Sequence, residues 1–316
     1  MDNLEIKPSF ANRLGKYKIL IAFLFLIIII SILTPNFLSW TNIINVFRQS
    51  SIVGIMAVGT TFVIIGGGFD ISVGSLLALT AAMAVGLQTY MHWILSIIVV
   101  IGVGALFGVL NGVLSAKIHI PAIIATLGTM TIIRGLVYMY TGGYPLYVES
   151  KGFSFIGNGY IGPIPFPIIL LIVMVILGQF ILTKTRFGRY ACAIGGNKEA
   201  TRLSGVKVDY YLILTFVMGG IMASISGIVY ASRLLSVTPL AGQGYELDAI
   251  ASTVIGGTSV SGGEGSVLRT LIGALLLTMI TNSFNLLGIN LYVQYIFKGI
   301  VILAAVGFDS FSKAKN

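Results

Sequence analysis

The stretch KILIAFLFLIIIISILT, residues 18–34, carries no charge after its first residue, and as a helix it is long enough to cross a hydrocarbon core of about 30 Å. Lys7, Arg13, Lys16 and Lys18 form a basic flank before it, of the kind that holds a first helix on the inner side of a membrane. Secretory leaders share that flank and apolar core, but Leu33-Thr34-Pro35 is followed by no small-residue cleavage site, so the segment reads as an uncleaved span. Composition extends the reading to the whole chain. Of 316 residues, 56% are hydrophobic and 9% charged, where a soluble domain carries about 25% charged residues, so a water-soluble globule is excluded. The net charge of +9 on so apolar a chain reflects inner membrane loops better than a nucleic-acid partner. Cys192 is the single cysteine and cannot form an intrachain disulfide, and no Cys/His cluster has metal-ligand spacing.

Charges are so sparse that the gaps between them outline the topology. A second span fits between Arg48 and Asp70, and 71–116 holds two more that reverse near Gln88 to Trp93. The fifth runs over 121–141 with Arg134 inside it, the sixth over 166–183 after a Gly/Pro/Tyr-rich loop, and the seventh over 211–232. A short eighth falls at 250–257, the ninth at 268–287 and the tenth at 291–307. With the N-terminus inside, 14 of the 19 Lys and Arg residues fall on the inner side, against Arg48, Lys151 and Arg233 outside; Arg134 and Lys298 lie in spans or at their edges. The expected fold is an all-α polytopic membrane protein of about ten helices with both termini cytoplasmic. It divides into a cytoplasmic segment 1–17, one transmembrane domain 18–308 with a long charged loop at 184–210, and a tail 309–316.

Two glycine-rich stretches look alike: Ile65-Gly66-Gly67 to Val73-Gly74-Ser75, and Ile255-Gly256-Gly257 to Glu264-Gly265-Ser266. Each stands where a helix would end on the inner side. They read either as close-packing glycines or as a pair of broken helices of the kind that marks a transport path, although their offset does not fit a five-plus-five repeat. No P-loop pattern occurs, so the chain does not hydrolyse nucleotide itself. His92 and His119 sit at span ends outside any nucleophile or metal motif, and no Gly-x-Ser-x-Gly elbow is present. Asp70 and Arg134 are the ionisable residues at membrane depth, where each needs a partner or water. Asp70 is placed to cap the following helix; Arg134 has three roles open to it, pairing with Asp70, donating to backbone carbonyls, or lining a polar cavity.

Within the charged loop, Asn197 is suited to cap a helix of about two turns, Glu199 lies in its first turn, and Gly205 closes it. So short a helix needs packing to hold it, against this chain or against a partner, with Ala200 and Leu203 on one face.

At these segments the chain resembles the permease subunits of bacterial ABC importers for monosaccharides, the ribose-type group. Four blocks carry the resemblance: Gly67 to Ser75; Asn111-Gly112 with Ile120-Pro121 and Ala125 to Thr129; Thr185 to Gly205; and Gly242 to Ser266 with Glu246-Leu247. The sequence departs from the pattern at Phe69, where an aliphatic residue is usual, and at Thr201, where a second alanine is usual and the docking face of the short helix is affected. The resemblance implies a non-enzymatic subunit of the bacterial cytoplasmic (inner) membrane, surrounded by lipid. It would translocate ribose or a related sugar delivered by an extracytoplasmic binding protein, and pair as a homodimer or with a close homologue. Cytoplasmic ABC ATPase subunits, which carry the ATP and Mg, would drive it; this chain would bind no cofactor, metal or nucleic acid. The implied ATPase-coupling residues are Gly188, Arg189, Gly195, Gly196, Asn197, Glu199, Ala200, Arg202 and Gly205. The expected translocation path, built from weak polar contacts, draws on Asp70, Ser72, Asn111, Thr126, Thr129, Arg134, Asn282 and Asn285, and for the uncharged ones helix–helix hydrogen bonding is the alternative role. Branched-chain amino-acid and nucleoside permeases are similar in architecture, which leaves another small polar solute as the second substrate reading.

Overall fold

The computed structural model describes residues 37–314 together with 25, 27–29, 31, 32 and 34. Most of the expected first span, the segment before it and the end of the tail lie outside the described residues. The fold is all-α, with helices α1 Trp40–Ile65, α2 Val73–Gly86, α3 Trp93–Ala116, α4 Ala122–Thr141, α5 Lys151–Asn158, α6 Phe166–Lys184, α7 Arg186–Gly196, α8 Lys198–Leu203, α9 Val208–Leu234, α10 Tyr245–Ile255, α11 Val267–Leu286 and α12 Leu291–Ala314. Six of these among the described residues, α1, α3, α4, α6, α9 and α11, are long and apolar enough to cross a membrane. At one end of the bundle, β1 Leu146–Tyr147 pairs with β4 Ser236–Val237, and β2 Tyr160–Ile161 forms a small hairpin with β3 Ile164–Pro165.

Helix starts follow local chemistry. Ser39, Thr185, Asn197 and Ser266 each accept a backbone N–H of the turn they open. Prolines precede α4 (Pro121) and α6 (Pro165), where a missing N–H costs nothing. Three elements differ from the sequence expectation. Helix α1 begins at Trp40, so Arg48 lies inside it, with its guanidinium 4.7 Å over the Tyr160 ring, a cation–π contact that lets the charge sit within the helix. The expected eighth span is displaced: α10 starts at Tyr245 and ends at Ile255, and Gly256 and Gly257 belong to the turn after it. The charged region 184–210 is not a loop with one short helix but two helices, α7 and α8, running directly into α9.

The two glycine stretches are reversals between antiparallel helices rather than interruptions of one helix. Both use the same termination: Gly67 N–H donates to Ile64 O and Gly68 N–H to Val63 O, as Gly257 N–H donates to Val254 O and Thr258 N–H to Thr253 O. Gly67 (φ +85°) and Gly257 (φ +79°) supply the left-handed residue this turn needs.

Buried apolar side chains from α1, α2, α6 and α9 form the largest core cluster, and α2 is buried on nearly every side. The closest packing is between α3 and α9, which run antiparallel. Gly104, Gly108 and Gly112 recur every fourth residue on α3 and meet Gly220 with Ser224, Phe216 with Val217, and Ile213 in turn. In lipid, where apolar side chains gain little from leaving their surroundings, this backbone proximity is what holds helices together. A side chain at Gly108 would place Cβ 2.5 Å from Phe216 O and 2.6 Å from Val217 Cα, whereas at Gly102 it would meet nothing within 4 Å. Gly108→Leu should therefore destabilise the bundle by about 1–3 kcal/mol or more. Heating the detergent-solubilised protein before size-exclusion chromatography should show earlier loss of its monodisperse peak, with Gly102→Leu behaving as wild type.

Candidate functional site

Helix α6 ends where Thr185 takes over: its hydroxyl donates to Ile181 O at 2.6 Å and accepts from Gly188 N–H at 3.3 Å, opening α7 at once. Gly188 fits the corner because a Cβ there would collide with the Leu182 and Ile181 carbonyls. Gly188, Ala191 and Ile194 form the buried stripe of α7, while Arg189 is exposed. Phe187 stacks on Phe62 with centroids 5.6 Å apart, and Tyr190 packs on Tyr211 at 4.7 Å.

The end of α7 meets both reversals. Gly263 N–H donates to Ile65 O at 2.9 Å, and Gly195 sits against this pair so closely that a Cβ on it would overlap both atoms. A Cβ on Gly262 would lie 3.1 Å from the Cα atoms of both Gly195 and Gly67, and one on Gly263 would lie 2.9 Å from Gly196. Three glycine segments from distant parts of the chain thus touch backbone to backbone, and together they tie α7 to the ends of α1 and α10 and the starts of α2 and α11.

Beyond this joint α8 projects outward. Asn197 Oδ1 accepts from Ala200 N–H at 2.9 Å, and Gly205 (φ +79°) lets the chain turn into α9. Thr201, not Ala200 or Leu203, is the inward residue: it is buried and donates to Asn197 O at 2.8 Å. The unusual residue of the motif therefore faces its own chain. Lys198, Glu199, Ala200 and Arg202 are exposed and Leu203 is 82% exposed. Arg202 lies between Glu199 at 3.4 Å and Asp209 at 3.7 Å, exposed pairs that contribute little to stability.

The residues expected along a path divide into three groups. Asp70, 1% exposed, accepts from Ser72 N–H at 2.8 Å and Ser72 Oγ at 2.6 Å; Asn111 Nδ2 donates to Ser72 Oγ at 2.9 Å and lies 3.4 Å from Asp70 Oδ2. Thr126 Oγ1 joins them by accepting from Ile71 N–H at 3.3 Å, and Thr129 is buried one turn on, donating to Thr126 O. Arg134 does not pair with Asp70: it donates to Pro239 O at 2.8 Å and Ala241 O at 2.9 Å, fastening α4 to the segment before α10. Asn282 exchanges two hydrogen bonds of 3.0 Å with Asn42, and Asn285 Oδ1 accepts from Gln294 Nε2 at 2.9 Å.

None of these eight lines the cavity of about 340 Å³ that opens between α1, α10, α11 and α12 at the other end of the bundle. Its polar lining includes Gln49, Gln243, Asp248, Thr281, Gln294, Tyr295 and Lys298, with Lys298 Nζ 2.9 Å from Asp248 Oδ2. Sequence reasoning passed over this set. The available signal was Asp248 and Lys298, two opposite charges in segments otherwise apolar enough to enter a membrane.

The family described as branched-chain amino acid transport system / permease component matches residues 42–306. The chain belongs to this permease family. Among its relatives, the ribose import permease protein of Haemophilus influenzae is 44% identical over 94% of this chain and 93% of its own length. The ribose import permease protein of Bacillus subtilis is 44% identical over 90% of this chain and 89% of its own. The L-arabinose transport system permease protein of Escherichia coli is 39% identical over 98% and 94%. No solved structure matches the chain. The permease is a multi-pass membrane protein, and its buried polar cluster is a test of the structure. Asp70→Ala leaves the Ser72 N–H and hydroxyl and the Asn111 amide short of an acceptor, at about 1–3 kcal/mol. Thermal unfolding followed by intrinsic fluorescence should show a lowered midpoint for Asp70→Ala and a smaller loss for Asp70→Asn, which keeps an acceptor oxygen.

Proposed function

We propose that this chain is the membrane-spanning subunit of an ATP-driven monosaccharide importer of the bacterial inner membrane, with ribose the first candidate and other pentoses next. The ribose, L-arabinose and xylose named for relatives support a sugar over the amino acids named in the family description. Sugar would arrive on an extracytoplasmic binding protein, ATP would be hydrolysed on separate cytoplasmic ATPase subunits, and a second permease copy would complete the pore. The proposed ten passes are the expected span 18–34 and nine of the helices, α1–α4, α6 and α9–α12, of which six are long and apolar enough to cross by themselves. An even number places both termini on one side, and the Lys/Arg distribution makes that side cytoplasmic.

The observation that carries this reading is the glycine joint with α8 projecting from it. An ATPase has to bias a permease between two states, so its contact must differ in strength between them. A push on exposed α8 passes through Asn197 to Gly195 and Gly196, which bear on Gly67, Gly262 and Gly263 and hence on two helix reversals at once. Gly188, Arg189, Asn197, Glu199, Ala200, Arg202 and Gly205 shape or flank this lever. The path residues before α2 and in α3 and α4 hold helices at fixed spacing along which a sugar passes without tight binding, so that selectivity among sugars rests mostly on the binding protein.

Deleting the subunit should abolish uptake of one labelled monosaccharide from a panel and leave branched-chain amino-acid uptake intact, with rescue only when the ATPase and binding protein are present. Uptake restored by this chain alone would overturn the ATP-driven mechanism. Leu203→Glu, a charge on the exposed face of α8, should reduce co-purification of the ATPase about tenfold, while the permease itself stays monodisperse.

A further inference from the structure

The geometry points to a weak binding subsite for one neutral polyhydroxylated sugar in the cavity between α1, α10, α11 and α12, an inference that rests on the monosaccharide-importer reading above. Its lining comes from the early part of α1 (Gln49, Val53), the start of α10 with the residues before it (Gln243 to Asp248), the later part of α11 (Leu277, Thr278, Thr281) and the first half of α12 (Leu291 to Ile302). All of these lie toward the end of the bundle opposite the glycine joint, which in the proposed orientation is the outer half, where an arriving solute enters.

The chemistry of the lining selects the class of ligand. At about 340 Å³ the cavity falls within the range of small-molecule pockets, roughly 300–1,000 Å³. Gln49, Gln243, Thr281 and Tyr295 face it with side-chain donors and acceptors that take no hydrogen-bond partner within the protein among the described residues. Amides and hydroxyls that both donate and accept match the hydroxyl groups of a sugar, which do the same. The two charges present, Asp248 and Lys298, are committed to each other at 2.9 Å, so the lining is neutral overall. A zwitterionic amino acid would have to separate this pair to find its own counter-charges, and a sugar would not. Helix α12 closes the site through few contacts: Lys298 to Asp248, Gln294 to Asn285 Oδ1 and Ile289 O, and the Phe297 edge on Phe284. Around the cavity these contacts are side-chain to side-chain or local, while the apolar anchor of α12, Val306 against Ile64, Ile250 and Val254, lies beyond the lining, so the lining half can shift without dismantling that packing.

The test uses the complete importer, permease with its own ATPase and binding protein, in proteoliposomes. Gln49→Leu, Gln243→Leu and Thr281→Val should each lower labelled ribose delivered per ATP hydrolysed about three- to tenfold, the loss of one hydrogen bond made during passage. Thr131→Val, whose hydroxyl only back-bonds to Leu127 O on the exposed face of α4, should leave the ratio unchanged. Separately, N-ethylmaleimide labelling of Thr281→Cys in a Cys192→Ala background should slow at least threefold with millimolar ribose and not with valine. An unchanged ratio in all three variants, or labelling indifferent to every monosaccharide, overturns the subsite and leaves the importer reading standing. Protection by valine instead of sugar overturns the ligand class. A wild-type importer that moves no monosaccharide at all overturns the reading beneath it.

Discussion

The structure depends on one steric constraint: three glycine segments must occupy nearly the same place. Gly195 presses on the Ile65 carbonyl and the Gly263 amide, and Gly262 fills the gap between Gly195 and Gly67. No side chain fits at Gly195, and three of the participants, Gly67, Gly262 and Gly263, hold left-handed backbone that other residues adopt at a cost. Because the contact is backbone to backbone, it has almost no compliance. A displacement of α7 is passed to the helix ends of α1 and α10 rather than absorbed by rotamer changes, which is what a mechanical joint between a docking element and a membrane bundle requires.

The rest of the bundle divides by how its helices are held. The α3–α9 seam, with glycines every fourth residue, and the buried Asp70, Ser72, Asn111 and Thr126 cluster fix α2, α3, α4 and α9 relative to one another. Asn42 and Asn282 do the same for α1 and α11 by exchanging amide hydrogen bonds at 3.0 Å. Helix α12 is tied to the rest by a shorter set of contacts among the described residues: Lys298 to Asp248, Gln294 to Asn285 and Ile289, Phe297 on Phe284, and Val306 against Ile64, Ile250 and Val254. Backbone-to-backbone contact is concentrated around the joint, and side-chain contact holds the wall of the cavity.

Much of this was legible in the residues, for identifiable reasons. Helices α3, α4, α6, α9 and α11 were readable because long apolar runs end at charges, prolines or capping residues such as His92, Pro121 and Ser266. The start of α1 was not, because Arg48 looks like a boundary until Tyr160 is seen beneath it. Helix α7 was hidden by its charges and glycines, although Phe187, Ala191 and Ile194 recur at helical spacing. The pairing of β1 with β4 joins residues 146 and 237 and leaves no local trace. Residue identity pointed to the importance of Gly195, but only the fold reveals that it meets Ile65 and Gly263. The cavity was illegible for the same reason: Gln49, Gln243 and Gln294 are unremarkable in isolation and become a site when four helices converge.

The burial of α1 bears on how the chain is assembled. In its most apolar window 89% of the residues are buried inside the protein, so this helix has little lipid-facing surface when mature. Yet the groups that satisfy it arrive late: Ser226 donates to Ile52 O across 174 residues, and Thr61 meets Thr270 across 209. At a synthesis rate of about 5–20 residues per second, α1 waits roughly 10–40 s before those partners exist. Its own chain chemistry suits the wait, since Ser50, Ser51, Thr60 and Thr61 each donate to a carbonyl four residues earlier and enter the bilayer with their hydroxyls already paired. The helix that ends as the centre of the protein is thus able to begin as a guest of the lipid.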